Sequence, residues 1–170
     1  MAGSGVQCRP ASVDYRVGAV SSGGGAALEI GPQDYDAFER LLGEIQGAYG
    51  RQDEHTLVQR VTPEMLSYFA EQLEADRRKG LRNEVTSPKL LQGDLAEAWR
   101  EGNDEYATVA MRFSVIDVTV DSSGRVVSGS RTMPQEVTEV WTFHRPRGGT
   151  SAQWELSAIQ QAGQQLPLAS

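Results

Sequence analysis

The segment "EYATVAMRFSVIDVTV" (Glu105–Val120) decides the fold. Ala107, Val109, Met111, Phe113 and Val115 alternate with other residues, the period-two pattern of a strand with one buried face. From Ile116 the apolar set changes parity and continues at Val118 and Val120. Strict alternation does not change parity, so the pattern predicts a β-bulge near 115–117. Turn signals bracket the strand, "EGND" (101–104) before it and "DSSG" (121–124) after it. Upstream, residues 84–101 hold two short apolar pieces around "QGD", where Gly93 is expected to mark a bulge or bend. Downstream, a polar loop leads to strands at about 136–145 and 153–161, joined by "RPRGG". Consecutive strands linked by short connections pair antiparallel, so a curved four-stranded antiparallel sheet is expected.

Three helices precede this sheet. Phe38, Leu41, Leu42, Ile45 and Tyr49 follow the spacing of one helix face and predict a helix over 35–50. Asp34 is read as its cap and Gly50 as the left-handed residue past its end. Asp53 caps a short second helix carrying Leu57, Val58 and Val61. Thr62-Pro63 opens a third, a cap residue followed by proline at the first helical position, with Met65, Leu66, Phe69 and Leu73 as its buried stripe. Helices at one end and strands at the other indicate α+β architecture. A bulged sheet curved over the long helix encloses a conical cavity.

The chain has 170 residues, 39% hydrophobic and 23% charged, which fits one globular domain with a tail. Residues 1–33, with "SSGGGAALEIGP", read as a flexible Gly/Ser-rich linker, 34–163 as the domain and 164–170 as a C-terminal tail. The formal net charge of −7 excludes a general nucleic-acid binder. A single cysteine, Cys8, excludes a disulfide framework and a cysteine-ligated zinc site. No apolar run approaches the length of a membrane-spanning helix.

Little in the chain points to reaction chemistry. His55 lies in the acidic "RQDEH", and His144 ends a strand beside Arg145; both read as solvated or loop-supporting. There is no metal-binding histidine pair, nucleophile elbow, phosphate-cradling loop or dinucleotide fingerprint. Glu139, in "TEVWTFHRP" (138–146), is the exception. Alternation puts it on one face with Val137, Trp141 and Phe143, and burial beside aromatics raises a carboxylate's pKa toward that of a general base. Two other readings stand beside that one: Glu139 at the mouth of the cone, or paired with a neighbour such as Arg112. Tyr49, Met65, Phe69, Met111, Phe113, Trp141 and Phe143 form an apolar set that is either core or the wall of a ligand pocket. Arg77, Arg78 and Lys79, with Arg82, form the one dense basic cluster. It either complements the C-terminal helix dipole or contacts a partner or lipid headgroup.

"DYDAFERLLGEIQGAYGRQD" (34–53), "TPEMLSYFAEQL" (62–73), "LLQGDLAEAWREGNDEYATVAMRF" (90–113), "EVWTF" (139–143) and "WELSAIQQ" (154–161) occur in that order. Together they resemble bacterial members of the Tim44-like family, named after the mitochondrial inner-membrane import motor subunit. The resemblance covers about 34–162. It implies a nuclear-transport-factor-two-like, or cystatin-like, cone. It also implies a non-catalytic, membrane-associated adaptor with an apolar pocket, without cofactor or metal. In the mitochondrial relative an N-terminal part binds the seventy-kilodalton chaperone and the translocase, while this domain sits at the membrane and favours cardiolipin. Bacterial members typically carry an upstream membrane segment and a glycine-rich linker. Ser21 to Gly25 fit that linker, but no membrane segment or chaperone-binding region is read in this chain. The expected partners are therefore inner-membrane lipid or a membrane protein, and the expected ligand a lipid or hydrophobic peptide. The expected place is the cytoplasmic face of the inner membrane, reached through an upstream segment, with this chain itself soluble. Two alternatives stand beside this reading: a small cone-fold enzyme using Glu139 as general base, and a soluble hydrophobic-peptide-binding module.

Overall fold

A computed structural model describes residues 26–161. The readings made for Cys8, Ser21–Gly25 and the C-terminal tail lie outside these residues. In chain order the elements are β1 (Ala26–Ala27), α1 (Pro32–Gly50), α2 (Glu54–Arg60), α3 (Pro63–Arg78), β2 (Arg82–Glu101), β3 (Asp104–Val120), β4 (Val126–Gly129), β5 (Gln135–Pro146), a 3-10 turn (Ser151–Gln153) and β6 (Glu155–Gln161). The sheet runs β1-β2-β3-β5-β6, with β4 also paired to β3, and every pairing is antiparallel. The architecture is α+β with three helices, as expected. The sheet holds six strands among the described residues rather than four. The two additions are short edge pieces: β1 pairs with Trp99 and Arg100, and β4 lies in the supposed polar loop. Ordered structure thus begins before Asp34.

The long strands settle the bulge. Burial does change parity after Val115, passing to Val118 and Val120. The extra residue, however, sits on the partner strand. Thr86 pairs with Ile116 and Lys89 with Ser114, leaving Ser87 and Pro88 opposite Val115, and Ser87 has φ +54°. β2 slips again between Leu90 and Gln92 and between Leu95 and Glu97, so Gly93 lies between two shifts and not at one. Residues 84–101 are part of one continuous strand, whose repeated bulges scramble its alternation. The turn into β3 is a two-residue hairpin with Gly102 at φ +60°, the first central position of a type II′ turn.

The helices follow their apolar stripes, with corrections at their ends. α1 starts at Pro32, whose fixed φ suits the first helical position, and Gly31 is its N-cap. Asp34 sits inside the first turn and accepts the Gly31 N–H at 3.0 Å, so it is not the cap residue. Gly50 is still helical; its absent side chain lets α1 approach β2, because a Cβ there would meet Val85 O at 2.2 Å. Asp53 caps α2 by accepting the Thr56 N–H at 3.1 Å, and Leu57 and Val61 are buried. Val58 is half-exposed, against expectation, because the short helix has one buried face. Thr62 caps α3, and Met65, Phe69 and Leu73 are buried. α3 ends in a Schellman motif: Leu81 N–H donates to Asp76 O, and Gly80 N–H to Arg77 O, with Gly80 at φ +72°. β6 starts at Glu155 rather than 153, after the Thr150-capped 3-10 turn.

The core lies between α1 and the inner face of the sheet. Phe38 stacks on Phe143 with ring centroids 4.4 Å apart, and Trp154 meets Phe38 edge-on at 5.2 Å. Trp141, Phe143 and Phe113 are essentially inaccessible. Each contributes roughly 1.5–3 kcal/mol by burial.

Candidate functional site

α1 is 19 residues long, about 28 Å at 1.5 Å per residue, and its two ends meet different chemistry. At its N-terminus the cone is closed by an ionic knot. Arg145 donates to Glu105 Oε1 at 2.8 Å and to Asp34 Oδ1 at 3.1 Å, with its guanidinium 4.2 Å from the Trp154 ring. Trp154 Nε1 also donates to Asp34 Oδ1, at 2.9 Å. Arg100 adds a second cation to Glu105. Burial pushes the Glu105 carboxyl up, but hydrogen bonds from Arg145 and Arg100 outweigh it and hold the group below the usual carboxylate range. Every charge in this knot is matched, which suits a structural closure.

At the C-terminal end of α1 the cone opens into a cavity of about 480 Å³ between α1, α3 and β6. Ile45, Met65, Phe69, Val85 and Ile159 give it apolar walls, and Tyr49 and Tyr68 also line it. Tyr49 packs on Phe69 at 5.4 Å. Burial and the nearby Asp76, Tyr68 and Asp117 push the Tyr49 hydroxyl up to about 12, so it stays a neutral phenol. Two carboxylates enter the cavity. Asp117 accepts from Asn83 at 2.7 Å. Glu139 accepts from Trp141 Nε1 at 2.8 Å and from Gln161 Nε2 at 3.4 Å. Burial raises the Glu139 pKa, and the Trp141 hydrogen bond offsets part of the rise. Among the described residues the lining contains no histidine, cysteine, lysine or arginine.

The residues singled out from the sequence divide accordingly. Tyr49, Met65, Phe69 and Glu139 line the cavity. Met111, Phe113, Trp141 and Phe143 are fully buried core and not lining, since the cavity lies beyond them toward the open end. Glu139 does not pair with Arg112: its cross-strand neighbour is Met111, and Arg112, on the opposite face, pairs with Glu136 at 3.1 Å. Tyr68, Asn83, Asp117 and the β6 residues escaped sequence reasoning. Only the persisting parity of Asp117 with Val115 hinted at an inward position.

The basic cluster is largely compensated. Arg77 pairs with Glu74 and Glu54, Arg78 with Glu74, and Arg82 with Glu84. Lys79 caps the exposed end of α3. His144 lies on the outer sheet face, its ring 5.2 Å from Tyr106, held between Glu155 at 2.9 Å and Asp104 at 2.7 Å. Partial burial pulls its pKa down, but the two carboxylates outweigh this and raise it. His55 is on the exposed first turn of α2. Neither histidine reaches the cavity.

No curated protein matches the chain. Among solved structures it is similar to the intermembrane space region of the chloroplast protein ARC6, with a TM-score of 0.52 and 13% identity. That match covers 79% of this chain and 100% of the other. A periplasmic fragment of TraM matches with a TM-score of 0.49 and 12% identity, over 76% of this chain and 96% of that one. At 13% identity the likeness to ARC6 speaks to the fold alone. The family model for the Tim44-like domain matches residues 29–161, from the lead-in to α1 through the last residue of β6. The chain therefore belongs to the Tim44-like domain family.

Proposed function

We propose that this protein is a non-catalytic, membrane-associated adaptor domain that holds an apolar or amphipathic ligand in the open end of its cone. The observation that carries the reading is the cavity itself: half-open, apolar-walled and rimmed by hydrogen-bonding groups, in a domain of the Tim44-like family. Such make-up is that of a binding pocket. Membrane contact is proposed through the exposed end of α3 around Lys79, where the C-terminal helix dipole and the neighbouring arginines meet the surface. The paired carboxylates make this contact weak and salt-sensitive. Vesicle flotation of the full chain, with and without cardiolipin, tests it. Association that falls on adding salt and on replacing Arg77, Arg78, Lys79 and Arg82 by glutamine is expected. Absence of association with either vesicle would remove the membrane part. Placement on the cytoplasmic face belongs to the same proposal, and protease accessibility in intact against permeabilised cells tests it.

The raised pKa of Glu139 favours a second reading, a general base acting on an apolar substrate. Among the described residues its cavity has no histidine, metal-ligand set or cation to complete such a site. Full complementation of a deletion strain by Glu139→Gln would end the catalytic reading.

A further inference from the structure

We infer that the cavity receives an extended peptide segment carrying a lysine or arginine among apolar residues, its backbone adding to the open edge of β6 and its cation reaching Glu139 and Asp117. The inference deepens the proposed function, and rests on it only in taking the cavity as the binding site.

The first support is the edge. Among the described residues β6 ends the sheet, paired with β5 on one side only. Among those residues its other side is backbone-bonded at a single point, where Val61 bridges Leu156 and Thr62 N–H donates to Leu156 O at 2.9 Å. Past that point, Ser157 through Gln161 all line the cavity. Five strand residues span about 16 Å of backbone whose outward N–H and C=O groups are of the kind a further strand pairs with. Strand addition at such an edge gives affinity through the main chain and selectivity through side-chain pockets. A lipid chain or simple amine uses none of these groups.

The second support is charge. Glu139 and Asp117 both face the cavity, and each is hydrogen-bonded by neutral donors: Trp141 and Gln161 to one, Asn83 to the other. Neither takes part in an ion pair among the described residues, whereas the buried Glu105 has two arginines. With no cation in the lining among the described residues, the cavity is acidic and partly desolvated. It selects for a cation and against phosphate or carboxylate headgroups. The third support is the apolar wall of Ile45, Met65, Phe69 and Ile159, which needs apolar residues flanking that cation.

The test uses the full chain and a fluorescent peptide of about nine residues, alternating apolar and threonine positions around one central lysine. Matched peptides carry glutamine or glutamate at the centre, and a fourth carries N-methyl groups on alternate backbone nitrogens. Fluorescence anisotropy is expected to rank lysine over glutamine by about tenfold, with glutamate weakest. N-methylation on the pairing side should abolish the gain. In Glu139→Gln with Asp117→Asn, the lysine preference should collapse while the thermal unfolding transition persists. Because the peptide series is measured on the unaltered protein, the result stands even if the double variant does not fold. Equal binding of the three peptides, no saturable binding, or indifference to N-methylation would overturn the inference. So would displacement of the lysine peptide by cardiolipin micelles bound at the same residues, which would assign the cavity to lipid. Flotation of the same preparation keeps the two readings apart. Peptide failure with intact flotation sinks only this inference; lost flotation with intact peptide binding sinks only the membrane reading.

Discussion

The indole N–H of Trp141 donates to Glu139 Oε1 at 2.8 Å, so two residues of one strand face make a core aromatic the partner of a cavity carboxylate. The cost of this placement shows in the direction of the Glu139 pKa, which burial raises. A carboxyl raised in the folded state stabilises most below the ordinary carboxylate range and loses that contribution as pH climbs through its folded value. Glu139→Gln keeps an acceptor for the indole and removes the titration. Its melting temperature is expected to match the unaltered protein near pH 4 and to exceed it at pH 8 by a few degrees, on the order of 3 °C. Melts at the two pH values check this; a variant less stable at pH 8 would contradict the burial cost.

Arg145 holds the closed end. Removing it as Arg145→Met leaves the 1% exposed Glu105 with Arg100 as its one remaining cation and Asp34 without its ion pair. Breaking a buried pair on one side costs about 3–5 kcal/mol, and Arg100 keeps the loss near the lower figure. Arg145→Lys should recover little, because an ammonium cannot bridge Glu105 and Asp34 while lying over Trp154. Urea unfolding measures both. The depressed Glu105 carboxyl contributes stability above its unfolded value that is lost as pH falls through its folded one. Arg145→Met should therefore begin acid unfolding at a higher pH.

Two glycines of α1 should respond oppositely to alanine. Gly43→Ala meets nothing within 4 Å and is expected to stabilise by about 0.5–1 kcal/mol through helix propensity. Gly50→Ala would put a methyl 2.2 Å from Val85 O, so α1 must move off β2. It is expected to cost about 1–3 kcal/mol or more. Thermal melts of the pair check both signs.

His144 should make stability pH-dependent in the opposite half of the range. Its raised pKa means that its contribution is full below the ordinary histidine value and is lost as pH rises through the folded value. His144→Gln should therefore be less stable than the unaltered protein at pH 6, with the gap closing toward pH 9. An equal gap at both would show that the imidazole acts only by packing on Tyr106.

Much of the scaffold was readable along the chain because its causes are local. Helix stripes, Thr62-Pro63 at a helix start, Asp53 as a cap and the turns at Gly102 and Gly124 each depend on a few adjacent residues. The inward run from Ala107 to Val115 and the shared face of Glu139, Trp141 and Phe143 follow from strand parity alone. The faces of β2 were not readable, because three register shifts break its period. β1 and β4 were missed because their sequences pattern weakly and only pairing to a long neighbour makes them strands.

The site depended still more on tertiary structure. Local composition marked Tyr49, Met65, Phe69, Trp141 and Phe143 as alike; only the position of α3 and β6 separated cavity wall from core. Arg145 and Asp34 meet across 111 residues, and Asp117 and Glu139, on different strands, line one cavity. By itself the sequence determined the helices, the strand faces, the acidic character and the α+β class, since period and propensity are written in neighbouring residues. The tertiary structure alone decided which charges are matched, where the cone stays open and which strand edge borders it. Those properties arise from contacts between distant segments, and no local pattern encodes them.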